Sequence, residues 1–454
     1  MPAQGPDDDT TEDERRTLKA IAENIKRIEE MLQFLPLHGD TVKDLRAKIG
    51  LLRTVMLEQR PPAFALVGRR GAGKSSMVNA LFGAKVAEVG HVKAQTGRGK
   101  WFDHAGERGK LSVLDTRGIQ EGSTPSEADD AKDAMASILF ELRKKPPDVV
   151  VFLVKATEVD SAIDADLDAL ERIHAEIERE HHFRPPLVAI LTHCDLLEPK
   201  AVRLHAQREE TNQEDVAEKL LHVVEAERHL ETKLKERKPL ADHLKWVRGV
   251  CTYLSFRDDG TVRADERWRV DELTTTLFKH LPDAGRGTFA RIARVRGLQE
   301  ELATNMTRAT ATLCAGVAAL PLPVADLIPI TSLQIALVAS IGWLGGRRMD
   351  LKAAGEFLAA LGVNVGAAFV LREGARALIK FVFPAGGVMI SGAIAFAGTL
   401  AIGAAARAYF LRGATIEEAR EAYKKTRAEN APAGAEAEDA PPPPAPSEPS
   451  NGAG

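Results

Sequence analysis

The residues Gly68-Arg69-Arg70-Gly71-Ala72-Gly73-Lys74-Ser75-Ser76 set the chemistry of this chain. They satisfy G-x-x-x-x-G-K-S, the spacing of a loop whose backbone N–H groups converge on one phosphate. Glycines at 68, 71 and 73 permit a tight turn and a close backbone approach to an anion. Lys74 supplies a point charge for β- and γ-phosphates, and the Ser75 hydroxyl suits Mg²⁺. The flanks agree. Ala63-Phe64-Ala65-Leu66-Val67 is a short apolar run of the type a buried parallel strand shows. Ser76 to Phe82 continues in a helical pattern, so a helix N-terminus faces the anion.

Two later motifs follow predicted strands. Lys110 to Asp115 reads as a strand and runs into Asp115-Thr116-Arg117-Gly118, a D-x-x-G. There Asp115 would hold Mg²⁺ through water, and the Gly118 N–H would sense a γ-phosphate. Leu187 to Thr192 reads as another strand and runs into Thr192-His193-Cys194-Asp195. A carboxylate at 195 accepts two hydrogen bonds from guanine N1–H and N2–H₂, donors that adenine lacks. The His193 imidazole can pack flat over such a base. The plainer alternative for Asp195 is a strand-end helix cap.

In this order the motifs resemble the Era-like branch of the translation-factor-related GTPases, over residues 61–283. The resemblance implies binding of GTP and GDP with Mg²⁺, and hydrolysis of GTP. It assigns nucleotide contacts to Gly68 through Ser76, Asp115, Gly118, Thr192, His193 and Asp195. It makes Lys93-Ala94-Gln95-Thr96-Gly97-Arg98 a first switch, in which Thr96 closes over Mg²⁺ and the γ-phosphate. Metal ligands are then Ser75, Thr96 and Asp115, and Lys74 and Thr96 become the catalytic pair. Cys251-Thr252-Tyr253 stands where the branch backs the base. The chain departs from the branch at Thr192 for Asn and at His193 for Lys. Gly71 stands where potassium-using members carry Asn, and Ile119 where many GTPases carry a water-orienting Gln. Intrinsic hydrolysis is therefore expected to be slow, or to use a residue supplied from elsewhere. Arg69, Arg70 and Arg117 could stabilise charge, but read as solvated surface arginines.

These motifs need a scaffold. A chain of 454 residues is too long for one core. The expected fold is an α/β domain with a mostly parallel sheet and helices on both faces. An N-terminal helical hairpin precedes it, and a hydrophobic all-α domain follows. Residues 1–12 are acidic and turn-rich. Within 13–60, Leu18, Ile21, Ile25, Ile28, Leu32 and Leu35 form one helical stripe, and Val42, Leu45, Ile49, Leu52 and Met56 a second. The hairpin packs on its own chain or joins a second subunit. Strands are expected at 148–154 and 247–253 besides those above. The charged stretch 199–240 reads as a long helical insertion on the sheet domain. Residues 284–427 form the hydrophobic helical domain. Residues 428–454 cannot build a core and end in Pro441-Pro442-Pro443-Pro444-Ala445-Pro446.

Composition limits the roles. A net charge of -4 disfavours nucleic acid as a partner. Cys194, Cys251 and Cys314 offer neither a disulfide framework nor zinc spacing, which fits a reducing cytoplasm. No secretory pattern opens the chain. Leu327 to Gly346 and Phe381 to Ala406 are uncharged and long enough to span a bilayer. The six basic residues Arg347, Arg348, Lys352, Arg372, Arg376 and Lys380 between them oppose a two-span hairpin. Leu320 to Asp326, with Ile328-Pro329, Gln334 and the Gly/Ala-rich 384–406, resembles an uncharacterised bacterial domain found behind such GTPases. The expectation is a regulatory GTPase on the cytoplasmic side of a membrane, the bacterial inner membrane, with lipid and an unidentified protein effector as partners. A dynamin-like membrane-remodelling scaffold, assembling as a homo-oligomer, is the alternative, and a nucleotide-binding module without turnover is another.

Overall fold

The two N-terminal stripes form helices α1 (Glu12–Gln33) and α2 (Gly39–Leu57). In the computed structural model, residues 12–33, 39–87, 100–115, 134–160, 163–205, 212–318, 328–362 and 388–432 are described. They fall into two bodies. One holds Arg53–Leu302 with Trp343–Arg348, the other the described parts of Met1–Leu52, Ala303–Gly342 and Met349–Gly454.

The first body is built on a six-stranded sheet of order β2-β3-β1-β4-β5-β6. Its strands are β1 (Ala63–Val67), β2 (Lys100–Gly106), β3 (Gly109–Asp115), β4 (Val149–Lys155), β5 (Leu187–Thr192) and β6 (Leu244–Gly249). Only the β2–β3 pair is antiparallel. Every residue of β1 and β5 is buried, because helices cover both faces and leave no side for polar alternation. On one face Ala65, Val67, Val150 and Phe152 share a core with Ile138 of α4 (Ala134–Lys144), Leu167 of α5 (Ile163–His181) and Val223 of α6 (Gln213–Glu236). On the other, Phe64 meets Phe289 of α9 (Asp283–Ala293) edge to face at 5.6 Å. Helices α3 (Lys74–Phe82), α7 (Lys238–Ala241) and α8 (Val270–His280) complete the layers.

Four sequence expectations change here. Strand β2 was not foreseen. None of its residues is buried, because it is an edge strand paired to β3 alone. The stretch 199–240 is no appended insertion. Helix α6 is the crossover between the parallel neighbours β5 and β6, and it buries Val216, Val223, Leu230 and Leu234. The strand expected at 247–253 starts at Leu244 and stops at Gly249. Beyond it Cys251 bridges to Trp268, and β7 (Leu254–Phe256) pairs with β8 (Val262–Asp265). The sheet body also runs past 283 to Leu302, since Phe289 seals its face.

The second body gathers the N-terminal stripes with C-terminal helices. Ile21, Ile25, Ile28, Leu45, Ile49 and Leu52 are buried. The side chains of Leu32, Leu35 and Val42 lie outside the described set, as does Leu320 to Asp326. Helices α10 (Arg296–Ala318) and α11 (Ile328–Leu344) each belong partly to this body, with α12 (Leu351–Ala360), α13 (Val388–Arg412) and α14 (Ile416–Asn430). A few polar contacts run through it. Gln334 Nε2 donates to Thr399 Oγ1 at 3.0 Å, and Arg407 Nη1 to Thr307 Oγ1 at 3.4 Å. Gly403 leaves room for Thr307, with which any side chain there would overlap.

His174 on α5 is 1% exposed, and neither ring nitrogen has a hydrogen-bond partner among the described residues. Burial, then the nearby His243 and Arg184, push its pKa down to about 3. The folded state keeps it neutral, whereas the unfolded chain protonates it below about pH 6.5. Its contribution is therefore fully present above that pH and is lost as pH falls towards 3. From pH 6.5 to 5 the loss should be about 2 kcal/mol, at roughly 1.4 kcal/mol per pH unit. Urea unfolding of wild type and His174→Leu at both pH values checks this: the variant should lose that much less.

Candidate nucleotide-binding site

Because β1, β3, β4 and β5 run parallel, their C-terminal ends deliver the motifs to one edge of the sheet. The loop after β1 turns sharply into α3. A side chain at Gly68 would collide with the Leu153 carbonyl of β4, so the residue must be glycine for close strand–loop approach. Gly73 precedes α3 in the left-handed region, at φ 88°. Lys74 Nζ folds back over the loop and donates to the carbonyls of Gly68 (2.9 Å) and Arg69 (3.2 Å). Ser75 and Ser76 lie half-buried in the first turn of α3. Arg69 is not a solvated surface arginine: its Nε donates to Asp166 Oδ2 of α5 at 2.8 Å. Asp166 is buried, and desolvation raises its pKa despite Arg69. Arg70 is exposed.

The 192–195 motif touches this loop directly. Thr192 Oγ1 donates to the carbonyl of Ala72 at 3.0 Å. Its methyl lies 3.6 Å from where a side chain on Gly73 would begin. A threonine can thus lock the two loops together from the place where the branch carries Asn. His193 sits at φ 57°, half-buried. Burial lowers its pKa, with Lys155 adding to the effect and Asp195 opposing it, so the ring is neutral near pH 7. Asp195 lies in the following turn, and the Cys251 thiol approaches its Oδ1 at 3.9 Å. The structure therefore brings Cys251 to Asp195, and Thr252 beside it is buried. A cavity of about 200 Å³ opens at Asp195 and Cys251, with Arg203, His205 and Glu266 on its wall.

Asp115 is the last residue of β3, level with Leu66 of β1, and Ser75 is the second residue of α3. By residue type, serine and aspartate offer hard oxygen donors of the kind Mg²⁺ takes. Thr96, with all of Lys93 to Arg98, and Thr116 to Ile119, with Arg117 and Gly118, lie outside the described residues. Among the described residues no group of His, Cys, Asp and Glu forms a separate metal cluster.

Sequence reasoning missed two anchors. Asn79 is buried. Its Oδ1 accepts from the N–H groups of Val86 and Ala87, and its Nδ2 donates to the Ala87 carbonyl. It fixes the chain just before the expected first switch. Lys219 of α6 is wholly buried, and its Nζ donates to the carbonyls of Asp195 (2.8 Å), Leu197 (2.9 Å) and Pro199 (3.1 Å). All three donors of the ammonium are used to shape the turn that carries Asp195. The signal was present: Lys219 falls on the apolar stripe of α6, where a surface lysine has no place.

Residues 63–192 match the family described as 50S ribosome-binding GTPase. The chain thus contains a P-loop GTPase domain. It is similar to an uncharacterized protein, YkfA, of Escherichia coli (strain K12), at 27% identity over 139 residues, 30% of this chain and 43% of that one. It is also similar to the GTPase Der of Halalkalibacterium halodurans, at 31% over 114 residues, 24% of each chain. The chain spans less than half the length of these relatives. Among solved structures it is similar to Toc33 from Arabidopsis thaliana in complex with GDP and Mg²⁺, at 16% identity and a TM-score of 0.32, covering 55% of this chain and 92% of that one.

Lys219→Met keeps the packing volume of the stem but leaves three carbonyls without their donor. The expected cost is about 3 kcal/mol in urea unfolding, since hydrogen bonds to a charged group contribute roughly 1.5–3 kcal/mol. Guanine nucleotide affinity should fall with it, because Asp195 loses its support. Unchanged stability would show that the turn holds itself.

Proposed function

We propose that this chain is a regulatory GTPase that binds GTP and GDP with Mg²⁺ and turns GTP over slowly. The observation that supports it most is the hydrogen bond from Thr192 to Ala72, which joins the base-reading motif to the phosphate loop. Asp195 then lies at a fixed remove from the phosphates, with Cys251 behind it and the cavity beside it. In this reading Asp195 accepts from the guanine ring, and the loop N–H groups with Lys74 bind the phosphates. Ser75, Asp115 and Thr96 would hold Mg²⁺, which would supply positive charge against the phosphates. The match of residues 63–192 to a GTPase family supports hydrolysis, and Ile119 after the D-x-x-G supports a slow rate. The ribosome in that family's description is not carried over, given the net charge of -4.

The helical body would be the responding part, passing the nucleotide state to an effector. Membrane association on the cytoplasmic side belongs to the same reading. It is supported by Gly392–Arg412, a helix long and apolar enough to cross a bilayer, half of which is buried among other helices. The rival is a self-contained bundle, and the burial of the N-terminal stripes in the same body speaks for it.

Asp195→Asn should weaken GTP binding about tenfold or more and relax selectivity towards xanthosine nucleotides, because one acceptor becomes a donor. Competition of GTP, XTP and ATP against a fluorescent GDP reads this, and unchanged discrimination would move base recognition elsewhere. Alkaline carbonate extraction of cells expressing the full chain tests the membrane. Retention in the pellet is expected of inserted helices, and complete release to the supernatant would favour the bundle.

A further inference from the structure

The motif that reads the base has lost its lysine, and neutral His193 puts no charge in its place. A different lysine stands beside it. Lys155 is the last residue of β4 and pairs in register with Thr192, the last residue of β5. A methyl group on Gly71 would lie 3.5 Å from both Cε and Nζ of Lys155. Three consecutive loop positions are thus met from the two neighbouring strand ends: Gly71 by Lys155, Ala72 by the Thr192 hydroxyl, and Gly73 by Thr192 and the His193 ring. Gly71 holds φ +73°, which leaves this side of the loop without a side chain and open to the ammonium.

We propose that Lys155 is a nucleotide-positioning residue, supplying from β4 the ammonium that the base-reading motif lacks at position 193. This rests on the guanine-nucleotide reading above and names a residue which that reading does not use. Lys155 Nζ donates one hydrogen bond to Glu158 Oε1 at 2.8 Å, a carboxylate in the turn directly after β4. An ammonium carries two further N–H donors for oxygen atoms of the loop and of the nucleotide. The lysine stem leaves the apolar β4 at its last position, so the strand sets its direction. A cation here meets Gly71, two residues before Gly73, which the His193 ring meets.

The test uses the full chain and titration with fluorescent GDP. Lys155→Ala should weaken binding about tenfold or more, the loss of one charged hydrogen-bonding group. His193→Lys in that background should restore affinity to within about threefold of wild type, under 1 kcal/mol at 1.4 kcal/mol per tenfold. Glu158→Gln removes the ion pair but keeps the ammonium, and should bind as wild type. Thermal unfolding confirms that each variant is folded. Wild-type affinity in Lys155→Ala overturns the proposal. So does a double variant as weak as the single, which would make Lys155 structural at its own position. A Glu158→Gln variant as weak as Lys155→Ala also overturns it, by assigning the effect to the ion pair. A wild-type chain that binds neither GDP nor GTP overturns the guanine-nucleotide reading itself and is told apart because it precedes any comparison of variants.

Discussion

Burial of the central strands on both faces constrains everything else in the sheet body. Strands β1, β4 and β5 place almost no polar side chain anywhere along their lengths. Polar chemistry can begin only where they end. Parallel pairing puts those ends side by side, so the loops after β1 and β5 and the last residue of β4 share one edge. The hydrogen bond from Thr192 to Ala72 is a consequence: the hydroxyl sits at the first position where a buried strand can spend one. Helices on both faces fix the strands, the strands fix the loop origins, and short side chains close the remaining gaps. Loop placement is inherited from the core, which is packed too tightly to deform gradually.

How far the sequence discloses this follows from what each signal depends on. Strands β1 and β5 were legible to the residue, because a run that is apolar throughout and ends in a polar motif has one reading. Edge strand β2 was not, since Lys100 to Gly106 gains its conformation from pairing with β3 and has no apolar face of its own. Helix α6 was seen as a helix and misplaced as an insertion. Its charged surface was visible in sequence, whereas its packing on β6 depends on the partner strand. For the candidate site, motif spacing singled out Gly68 through Ser76 and Asp195, which the parallel strands bring to one edge of the sheet. It did not name Asn79, which holds Val86 and Ala87 on the next loop, nor Lys219 and Lys155, whose contacts only the folded chain brings together.

The helical body sets a harder problem. Few charges, many small residues and long apolar helices satisfy a lipid bilayer and a closed bundle equally well. Its polar contacts do not decide either. The pair Gln334–Thr399 and the contact of Arg407 with Thr307 are needed wherever such groups are withdrawn from water, by protein or by lipid. What distinguishes this body is its composition from both ends of the chain. Described residues up to Leu52 and most of those from Ala303 onward join in one unit. The sheet body is therefore connected to it at both of its own ends, so a rearrangement at either end of the GTPase domain has a covalent route into the same helices.

Lys155 and Lys219 illustrate how a motif's work can shift to its neighbours. Both lie outside the recognised motifs, and both act on the segments those motifs define. Lys219 spends its three donors on carbonyls of the turn that carries Asp195, where a free ammonium would be costly to bury. Lys155 keeps one donor on Glu158 and remains partly open to solvent at the loop edge. The difference in burial separates their roles. An ammonium with every donor satisfied inside the protein has none to offer a ligand, so Lys219 shapes the turn. An ammonium at the rim with donors to spare can meet an anion or a nucleotide oxygen, as a lysine within the motif would. Thr192 and His193 do not then imply a weakened site. Thr192 ties the two loops, the neutral ring of His193 packs against Gly73, and the charge is carried one strand away.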